Sequence, residues 1–459
     1  METKIVSRST RALIQLDRAM PRRDALRHLA ALAISIASGG LTAKTALAAS
    51  PYAPPPSDGP GFSMRVATTY AGAEPLAKPF TKVLNEFQRD YPNIKLIHEA
   101  TPGFDHQTKI KLDALSDRLP DVFTFWRLDP SYGLDQIAEA GRLADLTAWS
   151  QNDPFFKGLF DDSSWDTATR KGVVYGIPAQ MFYIWLLVNR KILDRAKVPV
   201  PTTWDELVAA GPRLRAAGEI PWSINNGNDS MAARVYNYVM SRCLGNERAV
   251  RIHGGLEPAD SPDMIRASTL VQQLLGGNIP SDGITLSSDL VYAKYTNTEK
   301  AAFLIDASFR LFEIDPKIAG DLQVLNFPAI PDGVQHDFRV ERDLTSLWYA
   351  SSKQYADAAR RPYIQEFIRR MTNRQTARYF TETAKVQMPQ LDLEVDPAAV
   401  GQLSVETLKA ALAAPGNKWV PKLMKPAQRT RYEPLMSEFI EGKYTPQEYV
   451  AKFAEIMRS

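Results

Sequence analysis

The sequence predicts an α/β protein in which parallel strands alternate with crossover helices. Apolar residues switch between strand-like and helix-like spacing along five consecutive segments, at 64–70, 74–91, 94–98, 108–119 and 122–125. Strands joined by such helices pair in parallel. Open sheets of this kind place ligands beyond the carboxyl ends of their strands. The first candidates for a binding site are therefore the segments that follow the strands, at 70–74, 98–104 and 126–129.

The rest of the chain continues the same mixture of helices and strands. Thr203 precedes a helical apolar run as an N-terminal cap, and 220–224 returns as a strand. Helical spacing recurs at 231–243, 262–275, 362–383, 405–412 and 446–457. No fixed-period repeat is visible, so a solenoid or propeller is not expected. With 459 residues and 44% hydrophobic content, the chain can bury one large or two medium cores.

Residues 1–48 have the pattern of an export signal. The pair Arg22-Arg23 precedes a short apolar stretch at 29–37 and the cleavage pattern Ala46-Leu47-Ala48. The apolar stretch is too short for a permanent membrane anchor. The arginine pair resembles a twin-arginine signal, but 24–26 lacks the usual aromatic residue, so the general secretory route stays open. We expect a periplasmic protein cleaved near Ala48; an amphipathic surface helix is the alternative.

The basic charge of the chain belongs to this leader. The whole chain has 55 basic and 52 acidic residues. Residues 1–48 hold eight basic and three acidic residues, which leaves 47 basic and 49 acidic residues, a net charge of −2, in the remainder. A nucleic-acid-binding domain needs a concentrated basic face, and none stands out. The single cysteine, Cys243, excludes an intrachain disulfide and a cysteine-based metal cluster, and it fits a small buried apolar residue.

Six motifs give the chain a resemblance to a known family. In order along the sequence they are PDVFTFW (120–126), EAGRLADLT (139–147), GVVYGIP (172–178), LVNRKIL (187–193), PTTWDEL (201–207) and AAFLIDASF (301–309). Each motif is weak alone, but the ordered series covers most of the chain after the leader. It resembles the family 1 extracellular solute-binding proteins of ATP-binding-cassette (ABC) importers, the group that includes maltose-binding proteins.

The resemblance implies a type II-like periplasmic binding protein fold behind a Pro-rich linker at 49–62. Two α/β lobes would be joined by crossing hinge segments, and a ligand would be trapped when the hinge closes. By analogy the first lobe comprises 63–178 and 350–400, and the second lobe comprises 182–345 and 405–459. The crossings would lie near 177–182, 347–350 and 400.

Sugar chemistry selects the candidate ligand-binding residues. A sugar presents an apolar C–H face, which suits a flat aromatic ring, and hydroxyls, which need planar polar partners. The resemblance and the strand ends together give fourteen candidates: Tyr70, Trp126, Arg127, Asp129, Gln180, Tyr183, Trp222, Asn225, Asp229, Asp306, Phe309, Arg310, Thr345 and Ser346. Trp126 is the first choice as a stacking ring, whereas Phe309 stands where the family often has tryptophan. No metal and no cofactor are expected.

Several of these residues also have a purely structural interpretation. Trp126 and Trp185 fit core packing, since strand ends often bury aromatic rings. The segment 225–229 fits a turn because it contains Asn226-Gly227. Arg127 and Arg310 fit surface ion pairs, which contribute little to stability.

An enzyme is the main alternative function. The histidines that follow the leader, His98, His106, His253 and His336, form no metal-ligand or catalytic motif. Paired carboxylates for glycoside cleavage stay open, since any two acids can meet in a cleft. We expect a non-enzymatic monomer that captures a mono- or oligosaccharide and delivers it to the membrane permease subunits of an ABC importer. Polyols, glycerol phosphates or polyamines as ligands, and a chemosensory receptor as partner, are alternatives.

Overall fold

A mixed sheet with helices packed around it organises the described part of the chain. The computed structural model describes residues 52–459 except 128–132, 227–230, 284 and 338, and it describes only the backbone of Phe104. The predicted export signal therefore lies outside the described residues. Residues Tyr52–Ser459 form one compact unit. Among them, no helix is long and apolar enough to cross a membrane.

The strands of the described residues are β1 (Phe62–Thr68), β2 (Ile94–Ala100), β3 (Val122–Phe125), β4 (Thr169–Arg170), β5 (Val173–Val174), β6 (Gly176–Asn189), β7 (Ile220–Trp222), β8 (Ala301–Ala307), β9 (Leu322–Leu325), β10 (Val340–Ala350) and β11 (Gly416–Asn417). Nine of them form one sheet, in the order β2-β1-β3-β10-β6-β8-β7, with β9 beside β6 and β11 beside β10. The strands β1–β2, β1–β3 and β7–β8 pair in parallel, and β6 and β10 pair antiparallel. The predicted α/β class is confirmed.

Helices cover the sheet on both faces. The α-helices are Ala77–Asp90, Gly103–Leu115, Leu134–Glu139, Thr147–Asn152, Asp162–Ala168, Arg190–Ala196, Trp204–Ala216, Met231–Leu244, Asn246–His253, Pro262–Leu275, Ser288–Val291, Pro316–Ala319, Ser352–Ala356, Arg361–Thr372, Arg374–Ala384, Pro397–Val400, Gln402–Ala413, Pro426–Ile440 and Pro446–Arg458. Short 3₁₀ turns lie at Pro154–Phe156, Ser308–Glu313 and Val420–Leu423, and a π turn lies at Tyr292–Thr296. The predicted cap at Thr203 is present: its Oγ accepts a hydrogen bond from Glu206 N at 3.3 Å.

Two large hydrophobic cores divide the fold into two lobes. The first core contains buried residues between 64 and 179 and between 344 and 388. The second contains buried residues between 182 and 330 and between 419 and 456. We call the regions around them the first lobe and the second lobe. The exact lobe limits given by the sequence stay a prediction, because β6 and β10 contribute residues to more than one core.

The strands β6 and β10 are the crossing segments between the lobes. In β6, Ile177 and Ala179 pack in the first core, and residues from Phe182 onward pack in the second lobe. Pairing between β6 and β10 shifts register between Leu344 and Leu347. An irregular ladder of this kind bends a strand locally. The change of core and the change of register therefore coincide, which makes this short stretch the structural hinge.

The apolar run in β6 is explained by burial on both faces. Side chains alternate along a strand: Ile184, Leu186 and Val188 pack into the large second core, whereas Trp185 and Leu187 pack into a smaller cluster on the opposite face. Strands covered on both sides read as continuous apolar runs instead of alternating ones. Trp185 is therefore a packing residue, as its structural interpretation proposed.

The described part of the predicted linker, residues 52–61, lies against the first lobe, and we call it the N-terminal strap. Tyr363 Oη donates a hydrogen bond to Pro56 O at 2.8 Å, and Asn93 Nδ2 donates one to Gly59 O at 3.1 Å. The guanidinium of Arg369 stacks on the ring of Tyr52, 3.5 Å from the ring centre. Aromatic and backbone groups in this segment thus find partners on the helix Arg361–Thr372 and beside it, and its role as a linker stays a prediction.

Candidate functional site

A cleft of about 340 Å³ lies between the lobes at the hinge. We call it the interlobe cleft. Its walls come from the ends of β1 and β3, from the middle of β6 and β10, from the 3₁₀ turn Ser308–Glu313 and from the loop that follows Ala384. The lining residues are Thr69, Glu74, Pro75, Gly103, Thr124, Phe125, Trp126, Gln180, Met181, Phe309, Phe312, Thr345, Ser346, Ala384, Lys385, Val386 and Gln387. The predicted candidates Trp126, Gln180, Phe309, Thr345 and Ser346 thus share one cavity.

Polar groups on the crossing strands form the floor of the cleft. The Oε1 atom of Gln180 accepts hydrogen bonds from Ser346 Oγ at 3.1 Å and from Tyr70 Oη at 3.3 Å. Tyr70 itself lies behind the floor, where burial raises the pKa of its hydroxyl and keeps it protonated as a donor. The two donors hold the oxygen of the Gln180 amide in place, and its Nε2 hydrogens have no acceptor among the described residues. The Gln180 amide group is therefore oriented and able to donate to a ligand.

Glu74 supplies a carboxylate at the wall of the first lobe. It follows β1 at the carboxyl end of the strand, and its side chain is half-buried. No hydrogen bond or ion pair engages that side chain within the described residues. Burial raises the pKa of Glu74 above its ordinary value. A carboxylate accepts hydrogen bonds only, so this one can receive two or more hydroxyl or ammonium hydrogens from a ligand.

Aromatic rings reach the cleft from both lobes. Trp126 follows β3 in the first lobe and meets the ring of Phe125 edge to face at 5.3 Å. On the opposite wall, Phe309 is 44% exposed and Phe312 is 55% exposed. Phe309 contacts the ring of Phe182 at 6.4 Å between ring centres. Aromatic rings that line one cavity from two lobes offer apolar surface to a flat ligand.

Buried charges support the turn that carries Phe309 and Phe312. The Nε atom of Arg310 lies 3.3 Å from Asp306 Oδ2, and its Nη2 lies 2.7 Å from Glu313 Oε2. Burial raises the pKa of Asp306 to about 7, although Arg310 acts in the opposite direction. Both predicted candidates, Asp306 and Arg310, therefore brace the cleft wall from behind and do not line the cleft. The surface ion-pair interpretation of Arg310 fits only its contact with the exposed Asp289.

Arg127 also lies outside the cleft, in a buried ionic cluster made of Arg127, Asp343 and Lys422. Arg127 Nη1 donates a hydrogen bond to Leu344 O at 3.0 Å, and its Nε lies 3.7 Å from Asp343 Oδ2. Lys422 Nζ pairs with the same carboxylate. Burial opposes ionisation of Asp343, but Lys422 and Arg127 outweigh it and lower the pKa to about 2. Arg127 thus joins the first lobe to β10.

Three other candidates are buried away from the cleft. Tyr183 is fully buried, and its hydroxyl contacts Thr407 Oγ1 at 3.0 Å. Trp222 packs on the ring of Phe303 at 5.1 Å between ring centres. Asn225 is buried, and its Oδ1 accepts a hydrogen bond from Met231 N at 3.3 Å; most of the segment interpreted as a turn lies outside the described residues.

The remaining candidates, Asp129 and Asp229, lie outside the described residues. No group of three or more His, Cys, Asp and Glu side chains within the described part of the chain is arranged to hold a metal ion.

The loop after Ala384 was not predicted from the sequence. Gln387 O accepts a hydrogen bond from Met181 N at 3.0 Å, which ties the loop to β6 at the hinge. Lys385 adopts a left-handed backbone, with φ of 59°, at the end of the helix Arg374–Ala384. Its Nζ donates to Glu382 O at 3.0 Å. No motif marks this loop; a helix end near a crossing segment was the only available signal.

Comparison with known proteins agrees with this architecture. The model of the bacterial extracellular solute-binding protein family matches residues 73–377. A Brucella abortus protein named as a "putative binding protein" is 21% identical over 283 residues, which cover 60% of this chain and 66%, slightly less than two thirds, of that relative.

Two solved structures have the same fold over almost their full length. A probable secreted solute-binding lipoprotein from Streptomyces coelicolor has a TM-score of 0.74 at 19% identity, covering 86% of this chain and 98% of its own. A chitin oligosaccharide binding protein has a TM-score of 0.73 at 18% identity, covering 87% and 98%. The chain belongs to the bacterial extracellular solute-binding protein family and has the two-lobed α/β fold of these solved structures.

Proposed function

We propose that this protein is exported, binds a sugar or oligosaccharide in the interlobe cleft by hinge closure, and delivers it to the permease of an ABC importer. The observation that carries the proposal is the composition of the cleft. Aromatic rings enter it from both lobes, and oriented polar groups lie on the crossing strands between them. The chitin oligosaccharide binding protein with the same fold adds support for a carbohydrate ligand.

The aromatic walls suit the apolar face of a sugar ring. Trp126 lies on the first lobe, and Phe309 and Phe312 lie on the second. Covering the C–H face of a sugar with an aromatic ring removes apolar surface from water, at about 25 cal/mol per Å². A fully hydroxylated surface has no apolar area for these walls to cover and would gain little from them.

The polar floor suits the hydroxyls of the same ring. Gln180 offers amide hydrogens, Ser346 and Thr345 offer hydroxyls, and Glu74 offers a carboxylate. A buried polar group that lacks its partner costs about 1–3 kcal/mol, so a ligand with hydroxyls at other positions would be rejected. These groups therefore set which sugar binds, while the rings contribute affinity.

The attachment of the two walls to different lobes supports hinge closure. The two aromatic walls belong to different lobes, which are joined by β6 and β10. A closed state contacts ligand with both walls at once, so ligand shifts the population toward closure. A permease that recognises the closed form would distinguish loaded from empty protein.

A binding role fits the carboxylates of the cleft better than hydrolysis. Glycoside hydrolysis ordinarily uses a pair of carboxylic acids that flank the scissile bond. Of the cleft-lining residues that the structure describes, only Glu74 carries a carboxylate. Release of intact sugar is the outcome that we expect.

A ligand screen tests the proposal. Purified protein without its leader is heated with glucose, galactose, maltose, xylobiose and chitobiose, and separately with glycerol phosphate and spermidine. The proposal predicts a raised Tm with at least one sugar, followed by recovery of that sugar unchanged by chromatography. Stabilisation only by glycerol phosphate or spermidine, or recovery of shortened sugars, would overturn it.

A further inference from the structure

A second cavity of about 600 Å³ adjoins the interlobe cleft, and we call it the side groove. It is lined by Arg190, Leu311, Phe312, Ile314, Pro316, Ala319, Gly320, Leu322, Gln323, Lys385, Val400, Gly401, Gln402, Leu403, Ser404 and Glu406. Phe312 and Lys385 line both the side groove and the cleft. The two cavities therefore meet at these two side chains.

Phe312 lies at the boundary of the two cavities, where its ring can contact a ligand in either of them. It lies three residues after Phe309 on the same 3₁₀ turn, and side chains three apart on such a turn are aligned. Phe309 faces the cleft, whereas Phe312, which is 55% exposed, borders both cavities. Arg310 fixes the turn through its contacts with Asp306 and Glu313. The two rings thus form a short braced row that leads from the cleft into the side groove.

Like the cleft, the side groove combines apolar and polar walls, although its apolar residues other than Phe312 are aliphatic. Leu311, Ile314, Leu322 and Leu403 give it an apolar floor. Its polar rim comprises Arg190, Gln323, Gln402, Ser404 and Glu406. Arg190 donates a hydrogen bond to Gly320 O at 2.8 Å, and Gln402 donates one to Glu406 at 3.0 Å, so the rim is partly fixed in place. Together with Lys385, which also lines the groove, Arg190 and Glu406 give it charges of both signs, which can donate hydrogen bonds to the hydroxyls of a sugar and accept hydrogen bonds from them.

We propose that the side groove continues the interlobe cleft, so that the ligand is an oligosaccharide whose further units extend past Phe312 into the groove. This inference rests on the proposed function. The cleft alone, at about 340 Å³, is at the lower end of the range of about 300–1,000 Å³ for small-molecule sites, and both cavities together approach the upper end. Most walls of the groove lie on the second lobe and the helix Gln402–Ala413 packed against it. The sugar units beyond Phe312 would therefore contact a surface that is already formed before the lobes close.

The test blocks the side groove without altering the cleft. Ser404→Trp places a large ring in the groove, and Lys409→Trp, at an exposed position of the same helix that lines neither cavity, is the matched control. Calorimetric titrations use oligomers of two to six units from the β-1,4-xylose, α-1,4-glucose and N-acetylglucosamine series. Wild type and Lys409→Trp should bind four units of the preferred series at least tenfold more tightly than two. Ser404→Trp should lose that gain and keep the affinity for two units.

The possible outcomes distinguish the side-groove proposal from the sugar-binding proposal on which it rests. If wild type binds two and four units equally and Ser404→Trp changes neither, the side groove is not part of the site, and the sugar-binding proposal stands. If wild type binds none of the oligomers and none of the sugars of the earlier screen, both proposals fail. Circular dichroism checks folding; should Ser404→Trp fail to fold, Gln402→Trp at the exposed start of the helix takes its place.

Discussion

The interlobe cleft and the buried ionic cluster both use residues of the crossing strand β10. They differ in how many partners their polar groups find within the protein. Asp343 and Ser346 are three residues apart on β10. Asp343 is surrounded by Lys422, Arg127, the Thr167 hydroxyl at 3.1 Å and the Leu344 amide at 2.9 Å. In the cleft, Gln180 and Glu74 keep hydrogen-bonding capacity that the described residues do not use.

The difference shows how one strand serves both structure and binding. A buried charge is tolerated when every partner is present, because an unpaired one is strongly destabilising. A site for an exchangeable ligand needs the reverse: groups held in place but left partly unsatisfied until the ligand arrives. Residue type alone does not distinguish the two, since Arg127 in the cluster and Glu74 in the cleft are both charged residues that follow strands.

The largest expected effect comes from breaking the cluster. Asp343→Ala leaves Arg127 and Lys422 without their carboxylate and should lower the free energy of unfolding by about 3–5 kcal/mol. Asp289→Ala is the exposed comparison, because the Asp289 side chain is 79% exposed where it pairs with Arg310. It should lower the free energy of unfolding by at most about 1 kcal/mol. Urea unfolding measures both. Equal losses for the two variants would contradict the structural role of the cluster.

The cluster also predicts a pH dependence of stability. The pKa of Asp343 is lowered to about 2 in the folded protein, below the value of about 3.9 for an unfolded chain. Its contribution is therefore complete above pH 4 and is lost as the pH falls from about 4 to about 2. Unfolding midpoints of wild type should decline over that window more steeply than those of Asp343→Ala. Parallel curves would show that Asp343 does not carry this dependence.

The next effect concerns the aromatic wall of the first lobe. Trp126→Ala should weaken sugar binding roughly 10- to 100-fold, since about 1.5–3 kcal/mol of apolar contact is removed. Leu256→Ala, at an exposed position of the second lobe outside both cavities, serves as control. Calorimetry with the best ligand of the screen measures affinity, and circular dichroism confirms folding. Unchanged affinity in a folded Trp126→Ala protein would remove this residue from the site.

Glu74 gives a smaller effect with a distinct pH signature. Burial raises its pKa, so lowering the pH protonates it earlier than an exposed glutamate and removes a charged acceptor from the cleft. Affinity for sugar should therefore be highest near neutral pH and fall as the pH drops through the raised pKa. Glu74→Gln should bind a few-fold more weakly at pH 7 and lose this part of the pH dependence. Glu441→Gln, an exposed substitution, should behave like wild type.

The smallest expected effect tests the N-terminal strap. Tyr52→Ala removes the ring that covers Arg369 and should cost about 0.5–2 kcal/mol of stability with sugar affinity unchanged. Tyr52→Phe keeps the ring and loses only the hydroxyl contact with Glu366. Thermal unfolding of the two variants separates these contributions. A loss of affinity in either variant would mean that the strap acts on the cleft.

The sequence predicted local elements and their order well, but it could not predict long-range partners. Strand ends and family motifs located Trp126, Gln180, Phe309, Thr345 and Ser346, which line one cavity. Their contact with ligand stays a prediction.

The candidates that lie outside the cleft, and the cleft residues that the sequence did not indicate, have physical explanations. The family resemblance and the strand ends selected Tyr183 and Trp222, but which face of a strand is buried depends on helices distant in the chain. The partner of Arg127 lies more than 200 residues away, on β10. Lys385 and Gln387 enter the cleft through a helix end that has no motif. Contacts of this kind follow from packing and not from local pattern.

The most direct test of sugar capture by closure is a distance measurement between the lobes. Spin labels on Leu115→Cys in the first lobe and Leu256→Cys in the second occupy positions that are 82% and 79% exposed. Cys243 is buried, and burial raises the pKa of its thiol to about 11, which disfavours its labelling. When a stabilising sugar binds, pulsed electron paramagnetic resonance should show a changed, narrower distribution of the distance between the labels. The distribution should return to its starting form when the sugar is removed intact. An unchanged distribution with a sugar that binds would contradict capture by hinge closure.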